Sequence, residues 1–214
     1  MKKAFLLCCL ASLCAASASA GNGKVDKEKT SKLGIMFKAG TNNFSMSKVG
    51  FDGGMYYGGY VTYGFPINPR NPECRWALET GFGLDFMSGK ASYIDRGRYR
   101  DDIDDDAYLM NMTIPCTVKY ILNPLGSRGK WNVNAGVECS LGIGVPTLEE
   151  DDDKYLKSGS FGIGAGINAG IGYEARHWGF SVGGRAGYYS SFDTEAYCYD
   201  PASVGVYGAL KYFF

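Results

Sequence analysis

The sequence predicts an all-β protein: a closed, antiparallel, up-and-down transmembrane barrel of about eight strands. Three observations lead there. An export signal opens the chain. After it, no run of about 18 apolar residues occurs, so no helix is available to span a bilayer. The remaining sequence alternates apolar with small or polar residues at period two, in segments joined by alternately long and short connections. A membrane protein without a spanning helix must close its strands on one another, because hydrocarbon cannot satisfy backbone hydrogen bonds.

The length of 214 residues suits one domain, and the formal charge of zero gives no sign of a nucleic-acid partner. Glycine (31) and tyrosine (16) are abundant. Tyrosine suits strands and membrane interfaces, and glycine suits turns and crowded interiors.

Each element follows in order. Lys2 and Lys3, the apolar stretch Ala4–Ala16 and the small residues Ala18-Ser19-Ala20 predict a signal peptide over 1–20, cleaved after Ala20. The apolar stretch is short for a membrane anchor. Residues 21–32 (GNGKVDKEKTSK) read as a flexible periplasmic lead-in, and 33–214 as the barrel. The first strand is Leu33–Thr41, with Leu33, Ile35, Phe37 and Ala39 outward and Lys38 inward. The second, Tyr56–Phe65, points Tyr57, Val61, Tyr63 and Phe65 outward. The third, Arg75–Met87, carries Trp76, Leu78, Phe82, Leu84 and Phe86 outward and Glu79 and Asp85 inward. The fourth, Tyr108–Tyr120, is the clearest: every even position is apolar, while Asn111, Thr113, Thr117 and Lys119 alternate with them. The fifth, Trp131–Ile143, is apolar at odd positions and carries Asn132, Asn134, Glu138 and Ser140 on the other face. The sixth, Phe161–Glu174, sets apolar residues against inward glycines and Asn168. The seventh, Trp178–Tyr189, turns Arg185 inward, and the eighth, Ala202–Phe214, turns Lys211 inward. An apolar exterior with a polar interior is the membrane-barrel pattern, and the reverse of a soluble ligand-binding barrel.

The long connections are predicted at Asn42–Gly54, Ser88–Asp106, Gly144–Ser160 and Ser190–Pro201. The short ones are Pro66–Cys74, Leu122–Gly129 and Ala175–His177. In such barrels the short turns face the periplasm and the long loops the cell surface. Tyr63, Phe65, Trp76, Tyr120, Trp131, Tyr173, Trp178, Tyr212 and Phe214 then form a periplasmic aromatic girdle.

Four stretches resemble the PorT-type outer-membrane barrels, a family of Bacteroidetes-like bacteria. They are GIMFKAGTNNFSMS (Gly34–Ser47), YLMNMTIPCTVKYIL (Tyr108–Leu122, with Ile114, Pro115, Lys119 and Tyr120 in place), WNVNAGVECSLGI (Trp131–Ile143) and the ending GALKYFF (Gly208–Phe214). The resemblance covers most of the mature chain. It implies the outer membrane of a Gram-negative bacterium, and it implies that Tyr212 and Phe214 serve as the signal read by barrel-assembly machinery.

Candidate site residues begin with the lumen: Lys38, Glu79, Asp85, Lys119, Glu138, Arg185 and Lys211. Unpaired buried charge is costly, so these must pair. Lys119 with Glu138, and Glu79 with Arg185, are the expected partners. A static polar filling is favoured over a gate of switching ion pairs, because eight-stranded barrels have interiors just filled by side chains. The inward glycines Gly162, Gly164, Gly166, Gly170 and Gly172 leave room for Tyr56, Tyr60 and Tyr189.

The acidic runs Asp101, Asp102, Asp104, Asp105, Asp106 and Glu149, Glu150, Asp151, Asp152, Asp153 are oxygen-rich and could hold a divalent ion. They lack the spacing and central glycine of an EF-hand loop, and a solvated surface segment is the plainer reading. Cys8, Cys9 and Cys14 leave with the signal. Cys116 and Cys139 are expected to face lipid on neighbouring strands, roughly opposite, more as two small apolar side chains than as a disulfide. No Cys/His pattern suggests a metal, no cofactor motif occurs, and the one histidine, His177, lies at a short turn without a nucleophile motif.

The expected function is therefore non-enzymatic: a small barrel with a plugged lumen and a structural or surface-binding role through its long loops. Narrow porin-like transport of small solutes, or a place in an outer-membrane secretion assembly, are the alternatives. The expected partners are outer-membrane lipid and lipopolysaccharide, the barrel-assembly machinery and an unidentified surface or periplasmic protein.

Overall fold

A computed structural model describes residues 32–46, 49–71, 74–95, 98–122, 129–149, 155–191 and 202–214. The signal over 1–20 and the lead-in through residue 31 lie outside the described residues. Eight strands follow one another: β1 (Lys32–Met46), β2 (Val49–Pro66), β3 (Trp76–Asp95), β4 (Arg98–Ile121), β5 (Lys130–Glu149), β6 (Tyr155–Glu174), β7 (Trp178–Ser191) and β8 (Ala202–Phe213). Each pairs antiparallel with the next, and β8 pairs back onto β1 from Gly34 opposite Phe213 to Ser45 opposite Ala202. The barrel is closed, so no strand edge is left open. The described residues contain no helix.

Alternation sorts the side chains as the sequence reading expected. Phe37, Leu84, Val133, Ile167, Val182 and Leu210 stand on the exterior, with Ile167 64 % and Leu210 53 % exposed. Lys38, Asp85, Asn111, Asn134 and Arg185 are buried on the inner face. An exterior this apolar on a closed barrel is suited to lipid.

At the end holding the chain termini the connections are short. Ile67 donates its N–H to the Trp76 carbonyl at 3.0 Å, Leu122 to Trp131 at 2.8 Å and Ala175 to Trp178 at 2.7 Å. Closure is completed there by Phe214, whose N–H reaches the Leu33 carbonyl at 3.0 Å. Pro115 sits inside β4 although it has no N–H for the ladder. Its carbonyl instead accepts a 3.0 Å hydrogen bond from Thr80 Oγ1.

The opposite end departs from expectation. Asn42–Gly54, Ser88–Asp106 and Gly144–Ser160 were expected as long loops. Instead β1 continues to Met46 and β2 restarts at Val49, β3 runs to Asp95 and β4 starts at Arg98, and β5 runs to Glu149 and β6 starts at Tyr155. β3 to β6 are 20 to 24 residues long, about twice the 9–11 that cross a bilayer. The reason is physical. Period-two alternation is imposed where one face meets lipid and the other the lumen. Outside such stretches the alternation disappears, and ladder pairing still holds the hairpins. The register shifts also gather here, between Thr41 and Phe44, Asp52 and Met55, Lys90 and Ser92, Ile143 and Val145. Bulges twist and bend strands at a barrel rim. Of Ser190–Pro201, residues 192–201 lie outside the described residues.

Candidate functional site

The lumen is built by the inward positions of all eight strands, and all seven charged residues singled out from the sequence are buried in it. They form two clusters. In the upper cluster Glu138 on β5 is the hub. Its Oε1 accepts from Lys38 Nζ at 2.8 Å and from Asn168 Nδ2 at 3.0 Å, and Arg185 Nη2 lies 3.3 Å from its Oε2. The Arg185 guanidinium stacks 4.2 Å from the Tyr56 ring centroid, and Lys38 sits between the rings of Tyr60 and Tyr207 at 4.9 and 5.0 Å. Aromatic faces hold the cations where no second carboxylate is at hand.

Asp85 is held differently. Tyr60 and Tyr56 both donate to its Oδ1, Tyr56 at 3.0 Å, and Thr113 Oγ1 donates to its Oδ2 at 2.7 Å. Three hydroxyls thus do for Asp85 what an ion pair does for Glu138.

In the lower cluster Glu79 on β3 bridges two lysines, Lys119 at Oε2 and Lys211 at Oε1, each at 2.6 Å. Lys119 also pairs with Glu174. Between the clusters lies a cavity of about 20 Å³, lined by Met36, Lys38, Glu79, Asn168, Tyr207 and Lys211 among others.

The expected pairings are corrected. Lys119 does not meet Glu138: it stands opposite Asn134, four positions along β5. Arg185 meets Glu138, not Glu79. Glu174 was missed, although it shares the inward parity of the β6 glycines; its place at the segment end hid it. Tyr207 and the hydroxyls around Asp85 were missed as well. Tyr189 does fill the space over Gly164, its Cδ1 2.5 Å from where a Cβ would stand. Tyr60 instead fills the space at Gly58 and Gly83, and Tyr56 lies under Arg185.

Cys116 stands opposite Val137 and Cys139 opposite Ile114, so the two cysteines are not across from each other and form no disulfide. Cys139 keeps the outward parity of Val133 and Val137, but it is buried beneath its neighbours. Asp101–Asp106 belong to β4 rather than to a loop, with Asp102 opposite Ser92 and Asp106 opposite Lys90. Their side chains, and the run Glu150–Asp153, lie outside the described residues, as does the side chain of Glu149. Among the described residues no group of His, Cys, Asp and Glu could hold a metal. His177 stacks on Tyr212 and has Nδ1 3.3 Å from the Phe213 carbonyl.

The girdle residues meet one another around the short-turn end. Trp76 contacts Tyr120 at 4.9 Å, Trp131 contacts Tyr173 at 5.2 Å, and Trp178 contacts Tyr212 at 4.9 Å between ring centroids. Phe214 packs edge-on to Tyr212 at 5.5 Å.

No family model matches the sequence, and no curated protein matches it. Solved structures do. Neisserial surface protein A (NspA) is 14 % identical with a TM-score of 0.47, covering 86 % of this chain and 99 % of its own. A major outer membrane protein from Thermus thermophilus is 13 % identical with a TM-score of 0.46, covering 85 % and 99 %. Ail, the attachment invasion locus protein of Yersinia pestis, solved with the heparin analogue sucrose octasulfate, is 8 % identical with a TM-score of 0.39, covering 85 % and 97 %. The fold itself rests on the closed eight-strand ladder of this chain.

Proposed function

We propose that this chain is a small, non-enzymatic barrel of a Gram-negative outer membrane, with a plugged lumen and a structural or surface-binding role. The observation that carries the reading is the pair of ion-pair clusters that span the interior, with only about 20 Å³ of space between them. A water molecule needs about that much room, and a hydrated solute needs far more. The apolar exterior and the girdle at the short-turn end support a membrane location, and the signal over 1–20 supplies export. The tall hairpins of β3 to β6 are the parts best placed to meet a partner, since binding concentrates on segments carried by a rigid scaffold. Likeness to the PorT-type barrels fits the same reading, with Tyr212 and Phe214 as the assembly signal.

The test is electrical. The mature protein, refolded into a planar bilayer, is expected to leave conductance at the level of the bare membrane. Its folded state is scored in parallel by a heat-dependent shift in gel mobility. Stepwise conductance from the folded form would overturn the plugged reading in favour of narrow transport.

A further inference from the structure

The short-turn mouth of the barrel holds a second cavity, of about 120 Å³. A water needs about 10–15 Å³ on the same measure, so the cavity has room for several waters or a phosphate-sized group. Lys32, Lys119, Lys130, Glu79, Glu174 and Asn68 are among the residues that line it. The carboxylates there are already occupied: Glu79 by Lys119 and Lys211, Glu174 by Lys119. Lys32 and Lys130 have no carboxylate within ion-pair distance among the described residues. Lys32 rests its ammonium 4.7 Å from the Phe213 ring centroid and lies within electrostatic reach of Lys130, Lys119 and Glu174. Cations outnumber anions in the pocket, and the surface around it leans the same way. Arg70, Arg75 and Arg176 are exposed at this end, and Glu174 is the one carboxylate at the rim among the described residues.

We propose that this mouth is a phosphate-binding site, with Lys32 and Lys130 as the anion-binding residues and the paired Lys119 and Glu79 in its lining. A concentration of lysine charge, partly withdrawn from water and in excess of the carboxylates around it among the described residues, is what a phosphate complements. The pocket opens at the level of the aromatic girdle, where Trp76 also lines it. The phosphate can therefore come from a phospholipid headgroup of the adjoining leaflet or from solution. Basic residues at a membrane surface favour anionic headgroups.

The experiment uses the full mature barrel in two arms. Native mass spectrometry after release from mixed phosphatidylcholine and phosphatidylglycerol nanodiscs reads retained lipid. Line broadening of inorganic phosphate in the phosphorus NMR spectrum, in detergent, reads free anion. The Lys32→Gln/Lys130→Gln protein is expected to bind roughly thirtyfold more weakly in whichever arm shows binding, the combined effect of two interfacial cations. Arg176→Gln, a charge removed outside the pocket, should bind like the parent, and Lys32→Arg/Lys130→Arg should restore binding. Retained phosphatidylglycerol with no phosphate broadening assigns the site to a headgroup. Broadening abolished by the Gln pair assigns it to free phosphate. Binding in neither arm, or equal binding by the Gln pair, overturns the site. Neither lysine makes an ion pair among the described residues, so the Gln pair should keep the heat-dependent gel shift. If it does not, the single Lys130→Gln protein decides by the same criteria.

Discussion

Glu138 is the one carboxylate paired with Arg185 among the described residues, and the Nε and Nη1 of that guanidinium have no hydrogen-bond partner there. Removing the Glu138 charge therefore strands two buried cations, Lys38 and Arg185, while removing Glu79 strands only Lys211, because Lys119 keeps Glu174. Breaking a buried pair from one side costs about 3–5 kcal/mol. Glu138→Gln is expected to destabilise the barrel by that amount, and Glu79→Gln by clearly less, measured by urea unfolding in lipid vesicles. An equal loss for both would mean that the Lys119–Glu174 pair does not hold its lysine. These identities were legible in the sequence, because burial of one face and lipid on the other force period two. The pairings were not. Parity survives a two-residue slip of register, and the sequence reading had Cys116 roughly opposite Cys139 where the ladder sets Val137. That slip is enough to give a lysine the wrong glutamate.

At the level of the strand, the membrane portions of all eight were legible and their outer ends were not. DDIDDD reads as a loop because it has no apolar face, yet it lies in β4. The ladder needs only backbone groups, so composition says little there. β6 shows the opposite case, where composition reports packing directly. Its inward glycines are places that neighbours have taken: Tyr189 lies over Gly164, and the Val182 carbonyl oxygen crowds the Cβ position of Gly170. Tyr189 is 2 % exposed and its hydroxyl points to Met87 Sδ at 3.8 Å, so it has nowhere to retreat. Gly164→Val should cost about 1–3 kcal/mol by overpacking, despite valine's preference for strands. Pairing it with Tyr189→Ala should recover part of that loss. A valine that left the urea midpoint unchanged would show that Tyr189 swings aside freely.

Across the whole molecule, a formal charge of zero conceals a polarity along the barrel axis. The short-turn end carries Lys32, Arg70, Arg75, Lys130 and Arg176, while the far end carries the acidic β4 run and, in sequence, EEDDD between β5 and β6. Asymmetric charge and asymmetric hairpin height together define a direction in the membrane. The chain's own cysteines report it. Cys74 lies in the turn between β2 and β3 at the short-turn end, and Cys198, outside the described residues, falls in sequence between β7 and β8. With the termini and short turns in the periplasm, a membrane-impermeant maleimide on intact cells should label Cys198 and spare Cys74. Cys198→Ser should abolish that label, and permeabilising the outer membrane should add labelling at Cys74. Cys116 and Cys139, in the membrane part of the wall, should stay unlabelled in both conditions. Labelling of Cys74 on intact cells would invert the barrel. The basic mouth would then face the cell exterior, where lipopolysaccharide phosphates rather than phospholipid headgroups are the nearest anions.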